Sequence, residues 1–598
     1  MRLVLLYPPP WKIPSPGESP DPKDGPPLNY GKNMIDDGDF LTIPYGLLSL
    51  GAQTRRAGHD VLTLNLSNFP WRDIELLISH IPGDLFGLSC HVSNRRGLAL
   101  LAKLIRKVHP QAHIVCGGPF VTALPGETLT HYQAIDTVVI GEGEETFLEL
   151  IGRLERGEAT AGLAGTAWRS GGRVHFGPPR QRITDLDTLA SPLDYFPTKT
   201  LITSRGCPGE CTFCGSKAMW GKELTFHSVD YVLDMLQKAV NHYGQKIIVF
   251  KDDTFTAHRD RALAICRGII RLKLNFVWSC DTRVNALNEE VLYFMRLAGC
   301  QRLSLGVESG SPLILKNIKK HISPELVLEV TRLAKKYGFQ IRYYMIAGNR
   351  GETVETFQQS LDFLQEAQPH ETIMYPLHIY PGTADFDILK AQGLVPEIFF
   401  TEDFETLAKF PGRPLDNRQL RRLYKKYHDS LAVSHYSLEE LKTILRRLPH
   451  HPGVHMDLAG AYCRQGDYDA AEKHLQLALE LNYPLEGQAL NYFACIAAAK
   501  QDYSAVMINL IKAFRAFPHE VVGLNLKLLR DWHKEGGPQS GRPLTLVAHN
   551  LFERHFMLEQ PQKPGPIRLH SRQSDKIYNL GDDYGIEYHQ VKPLDIQY

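Results

Sequence analysis

Short apolar runs at 3–7, 61–65, 85–90, 113–116 and 137–140 alternate with stretches at 45–57, 71–79, 96–108 and 144–156, where apolar residues recur every three or four positions. The runs predict strands covered on both faces, and the recurrent stretches predict amphipathic helices. Over residues 1–160 this order implies a doubly wound parallel sheet with its ligand edge at the strand carboxyl ends. Segment 11–42 has no period and is rich in Pro, Gly and Asp, which predicts a long loop at that edge. Residues 161–195 read as a connector with a hairpin at Gly171-Gly172. Over 196–430 the alternation resumes, with strands expected at 201–203, 247–251, 276–280, 302–305, 340–347 and 372–379. Six such units predict a partial (β/α)6 barrel, again with its site at the carboxyl ends. The fold class is therefore α/β multidomain, followed by a helical region at 437–535 and a tail, 536–598, left unassigned apart from strand patterns near 544–549 and 553–558.

Within the helical region, residues 458–484 and 490–518 align so that Pro484 and Pro518 stand 34 positions apart, the length of a tetratricopeptide unit. Gly466-Asp467-Tyr468 and Gln501-Asp502-Tyr503 mark the turns between the paired helices, the second having lost its glycine. Such a block either shapes a substrate cavity, recruits a protein partner, or only packs.

Charge and composition narrow the classes. With 67 basic and 66 acidic residues the net charge is +1, and no basic groove with interleaved aromatics appears, so no nucleic-acid partner is expected. No apolar run is long enough to span a bilayer, and Pro8-Pro9-Pro10 cuts the N-terminal apolar run short of a signal sequence; a cytoplasmic protein is expected. Seven of the ten cysteines, Cys90, Cys116, Cys266, Cys280, Cys300, Cys463 and Cys495, lie in apolar stretches and read as small buried hydrophobes.

The other three cluster. Cys207-Pro-Gly-Glu-Cys211-Thr-Phe213-Cys214 follows a predicted strand, and thiolates so spaced on one loop can hold three corners of an iron–sulfur cube, leaving one iron open. A zinc site needs a fourth ligand, for which His227 is the nearest and poorly spaced candidate. C-x3-C-x2-C with an aromatic before the last cysteine resembles the signature of radical S-adenosylmethionine (SAM) enzymes.

That resemblance implies a [4Fe–4S] cluster on Cys207, Cys211 and Cys214, with SAM on the open iron. It also implies SAM contacts from Phe213, from Asp252, Asp253 and Thr254 after the second barrel strand, from Arg283 after the third, from Glu308 and Ser309 after the fourth, and from Gly348 after the fifth. The doubly wound, Rossmann-like domain ahead of the barrel is similar to the cobalamin-binding subfamily through Ile43-Pro-Tyr45-Gly-Leu47, Leu88-Ser89-Cys-His91, Gly117-Gly118-Pro119 and Val139-Ile-Gly141-Glu142-Gly-Glu144. Cobalamin contacts are then implied at Pro8, Tyr45, Ser89, His91, Gly117, Gly118, Gly141 and Glu142. The D-x-H-x-x-G ligand motif is absent, so the resemblance names no lower cobalt ligand.

Three functions stay open from sequence. The first is a cobalamin-dependent methyltransferase acting on an unactivated carbon of a small-molecule or lipid substrate, fed by a flavodoxin- or ferredoxin-type donor. The second is a radical cyclase, ring-rearranging or C–C bond-forming enzyme without net methyl transfer. The third is a non-catalytic scaffold.

Overall fold

The computed structural model describes residues 1–10, 43–401, 418–419, 422–423, 435–517, 519–549 and 556–558. The expected loop at 11–42 and most of the tail lie outside them. The chain forms two units: Met1–Lys335 with Phe339–Ser434, and Lys336–Gly338 with His435–Tyr598.

In the first unit, β1 (Leu3–Tyr7), β2 (Val61–Asn65), β3 (Leu85–Ser89), β4 (His113–Gly117) and β5 (Thr137–Val139) form a parallel sheet in the order β2-β1-β3-β4-β5. Alternate residues feed two cores. Leu3, Leu5, Val61, Leu85, Val115 and Val139 point to one face, and Val4, Leu6, Phe86, Leu88, Ile114 and Val138 to the other. This period-2 division is why each strand reads as a continuous apolar run. Strand order reverses between β1 and β3, the place where open α/β sheets bind ligands.

The hairpin β6 (Thr166–Ser170) and β7 (Arg173–Phe176) does form around Gly171-Gly172, but it is no free connector. It pairs antiparallel with β5 and closes that edge of the first sheet. Residues with φ of +58° and +74° at Gly171 and Gly172 make its tight turn.

The barrel strands β8 (Thr200–Leu201), β11 (Ile247–Phe250), β12 (Val277–Thr282), β13 (Cys300–Glu308), β14 (Gln340–Ala347) and β15 (Glu371–Pro376) pair in parallel, each with the next. Between β8 and β11 lies a small antiparallel ribbon, β9 (Ser204–Arg205) with β10 (Thr225–Phe226), which closes the base of the 206–224 loop. The end of the barrel packs back on the first sheet. Leu377, Ile379, Phe386, Phe399 and Phe400 join the core of Val4, Phe86 and Phe120, and the fully buried Arg95 donates from Nε to the Phe399 carbonyl at 2.5 Å.

The second unit holds helices Leu438–Arg447, Pro452–Gln465, Tyr468–Glu480, Glu486–Ala499, Tyr503–Ala516 and Glu520–Lys534. The two turns fall where the sequence places them. Gly466 ends one helix in the left-handed region (φ +79°), and Asp467 caps the next by accepting from the Ala470 N–H. Gln501 adopts the same conformation (φ +63°) without being glycine, and Asp502 caps through Ala505. In the tail, β16 (Leu546–Ala548) and β17 (Phe556–Leu558) pair antiparallel. Buried Asn525 accepts from the Val547 N–H and donates to its carbonyl, both at 2.8 Å, seating β16 on the helices.

Among the described residues no helix is long and apolar enough to cross a membrane. The seven scattered cysteines are all buried.

Candidate active site

The cysteine loop leaves the β9–β10 ribbon at the carboxyl end of the barrel. Each thiol has a donor of its own. Cys207 Sγ lies 3.3 Å from Thr254 Oγ1 and 3.4 Å from the Gly209 N–H. Cys211 Sγ lies 3.6 Å from Arg283 Nη1, and Cys214 Sγ accepts from the Ser216 N–H at 3.5 Å. Burial, then the carboxylate of Asp253 and the other two thiols, pushes Cys214 up to about 11. Three thiols on one short loop, each facing a donor, suit a shared iron–sulfur core. His227 is committed elsewhere, 3.0 Å from Asp187 and stacked on Tyr231.

The downstream residues divide. Arg283 is buried and pinned: besides Cys211 it donates from Nη2 to the Lys320 carbonyl at 2.8 Å. Lys320 Nζ in turn pairs with Glu308 Oε1 at 2.7 Å, both side chains under a tenth exposed. Glu308 sits at φ +72°, beside a register shift between β13 and β14, a strained backbone of the kind that concentrates at functional sites. Asp253 faces the loop, accepting from Ser216 Oγ at 2.6 Å.

Four residues point elsewhere. Asp252 is fully buried and accepts from the Thr203 N–H and Ser204 Oγ, both at 2.7 Å, fixing the end of β8. Ser309 meets Ser360 at 2.9 Å on the helix Val354–Ala367. The Gly348 N–H donates to Glu352. Phe213 packs on Ile314, Leu315 and Ile318 and thereby seats the loop.

Next to this loop, at the carboxyl edge of the first sheet, lies a cavity of about 520 Å³. Its wall takes in Tyr45, Ser89, His91, Gly117, Gly118, Gly141 and Glu142, seven of the eight residues expected to contact cobalamin. Pro8 is not in the wall; its carbonyl accepts from Asn94 instead. Glycine is required here for two different reasons. At Gly118 (φ +107°) a Cβ would stand 2.6 Å from the Cys90 carbonyl oxygen, whereas at Gly141 (φ +78°) it would meet nothing within 4 Å. The space over Gly141 lets the backbone border a bulky ring. The mostly apolar, largely preformed wall suits a corrin with a few polar anchors.

The barrel supplies the opposite wall through Thr200, Ile202, Arg205, Trp220, Tyr231 and Lys251. Arg205, two residues before Cys207, reaches across to the upstream domain. Its Nη1 meets Glu142 Oε1 at 2.6 Å and its Nη2 meets Glu144 Oε1 at 2.5 Å, with Arg205 9% and the two carboxylates 6% and 8% exposed. Ser49 Oγ also donates to Glu144 at 2.9 Å, and the Ile183 N–H donates to Glu142 at 2.8 Å. Burial alone would raise the Glu144 carboxyl, but the Arg205 charge and hydrogen bond hold it below the ordinary carboxylate range. Arg205 also lies 5.2 Å over the Trp220 ring. Arg205 and Lys320 have no role in the sequence reading, and Glu144 enters it only as the end of the Val139–Glu144 segment; the E-x-E spacing at 142–144 was the available signal, and its partner stands some sixty residues away.

Known proteins resemble this chain in the same segments. Residues 201–364 match the radical SAM superfamily, 33–151 the B12 binding domain and 437–484 the tetratricopeptide repeat. An uncharacterized methyltransferase of Pyrococcus horikoshii is 33% identical over 368 residues, which are 59% of this chain and 79% of that protein. The cytidylyl-2-hydroxyethylphosphonate methyltransferase of Streptomyces wedmorensis is 27% identical over 49% of this chain and 64% of its own length. Among solved structures, the radical S-adenosylmethionine methyltransferase TsrM from Kitasatospora setae superposes with a TM-score of 0.52 at 19% identity, over 66% of this chain and 76% of that one, and so shares the fold. The chain belongs to the radical SAM superfamily and carries a B12-binding domain ahead of its barrel.

Proposed function

We propose that this protein is a cobalamin-dependent radical SAM methyltransferase that methylates an unactivated carbon of a small-molecule or lipid substrate. The observation that carries the reading is the shared cavity: the edge expected to take cobalamin and the strand that leads into the cysteine loop are two walls of one space. When bound, the cluster supplies the electron that cleaves SAM reductively, and the cobalamin carries the methyl group.

In this reading Cys207, Cys211 and Cys214 hold the cluster, and Arg283 offers its guanidinium to the SAM carboxylate while staying beside Cys211. Asp253 faces the SAM ammonium, and the strained Glu308–Lys320 pair borders the ribose. Glycines 117, 118 and 141 let the corrin approach the sheet edge, while Arg205 holds that edge against the cysteine loop. A flavodoxin- or ferredoxin-type donor supplies electrons, the reducing cytoplasm keeps the thiolates competent, and the helical repeats offer a surface to a protein partner.

The test is anaerobic reconstitution with iron, sulfide and hydroxocobalamin, followed by SAM turnover under reductant. Methyl transfer yields S-adenosylhomocysteine together with 5′-deoxyadenosine. Deoxyadenosine without S-adenosylhomocysteine moves the protein to the cyclase or ring-rearranging class, and a chain that stays colourless after reconstitution is a scaffold.

A further inference from the structure

The cavity wall contains two histidines with opposite surroundings. His227 Nδ1 is bound to Asp187 Oδ1 at 3.0 Å. His91 has no hydrogen bond to either ring nitrogen among the described residues, yet its position is fixed by two neighbours. It lies two residues past β3, beside the reversal of strand order between β1 and β3. Its backbone N–H donates to Asn94 Oδ1 at 2.7 Å. The same fully buried Asn94 donates from Nδ2 to the Ser89 carbonyl at 3.1 Å and the Pro8 carbonyl at 3.4 Å. One amide therefore ties the loop after β3 to the loop after β1 and fixes the backbone from which the imidazole projects. Tyr7 then holds the ring edge to face, at 5.9 Å between centroids and 64° between planes.

An imidazole with no hydrogen bond to either ring nitrogen among the described residues, lining a mostly apolar cavity, has the nitrogen lone pair a transition metal takes.

We propose that His91 is the protein's nitrogen ligand to the cobalt of cobalamin bound in this cavity. The assignment rests on the cavity being the cobalamin site, and it supplies a ligand outside the D-x-H-x-x-G pattern. Asn94 acts as its positioning residue.

The test uses the full chain loaded with hydroxocobalamin, reduced to the cob(II) state and studied by electron paramagnetic resonance. Protein made with ¹⁴N-histidine should show a triplet splitting from one axial nitrogen, and ¹⁵N-histidine labelling should convert it to a doublet. His91→Ala should keep the corrin absorbance through gel filtration but lose the histidine-derived splitting, and added imidazole should restore an axial nitrogen. A splitting that ignores the histidine label places the cofactor's own benzimidazole on the cobalt and overturns the proposal. So does retained corrin with no nitrogen splitting at all. Wild-type protein that retains no corrin overturns the cavity reading and the ligand together. The labelling experiment needs no variant, so it stands even if His91→Ala does not fold.

Discussion

A single missing methyl group governs how Arg283 meets the cysteine loop. A Cβ on Gly209 would stand 2.5 Å from Arg283 Nη1 and 3.4 Å from Cys207 Sγ. The guanidinium, held by Lys320 and Cys211, must then swing away. Gly209→Ala should leave the circular dichroism unchanged and weaken SAM binding by about tenfold, the loss of one charge-assisted hydrogen bond. Equilibrium binding to the reconstituted protein measures this. Unchanged affinity would remove Arg283 from the SAM site. At this scale the sequence was informative about which residues matter and poor about where they point. Asp252 and Asp253 are adjacent and chemically identical, yet one braces β8 while the other faces the loop. Both lie past the end of β11, where the chain enters a turn, and no regular period there says which of the two faces the site.

At the scale of elements, the helical repeats show a lost glycine tolerated at a cost. Gly466 and Gln501 occupy equivalent left-handed positions, and only the first is free of the Cβ penalty. Gly466→Ala should destabilise by about 1 kcal/mol, and Gln501→Gly should stabilise by roughly 0.5–1 kcal/mol, read as opposite shifts in thermal melting of the full chain. Two shifts of the same sign would break the equivalence of the turns. Long elements were legible because burial on both sheet faces and helix amphipathicity write strong periods into sequence. The two-residue strands β9 and β10 were not, since so short an element carries no period, although it is what closes the cysteine loop. Likewise the hairpin at 166–176 was visible as a turn, but its membership of the first sheet depends on long-range pairing with β5.

For the molecule as a whole, the Arg205 clamp is the polar tie between cysteine loop and upstream sheet. Removing one partner from a buried ion group leaves the others uncompensated, which costs about 3–5 kcal/mol. Arg205→Ala should therefore lower the denaturation midpoint sharply and release corrin, while Arg205→Lys, which keeps charge but loses the fork, should fall between. Chemical denaturation with parallel corrin absorbance measures both, and a variant as stable as wild type would show the clamp to be incidental. The pairs lie 61 and 63 positions apart in sequence, so no local pattern could reveal them.

That clamp also limits how such a chain can be recombined. An arginine in one module pairs with two acids in another, so neither module is electrostatically complete by itself. Grafting this upstream domain onto a foreign barrel would bury two carboxylates with no counter-charge unless the recipient offers a cation at the same place. Exchange of chemistry between relatives built this way should travel with the E-x-E segment and its arginine as one inherited block, and chimaeras cut between them should fail by misfolding before their catalysis can be assayed.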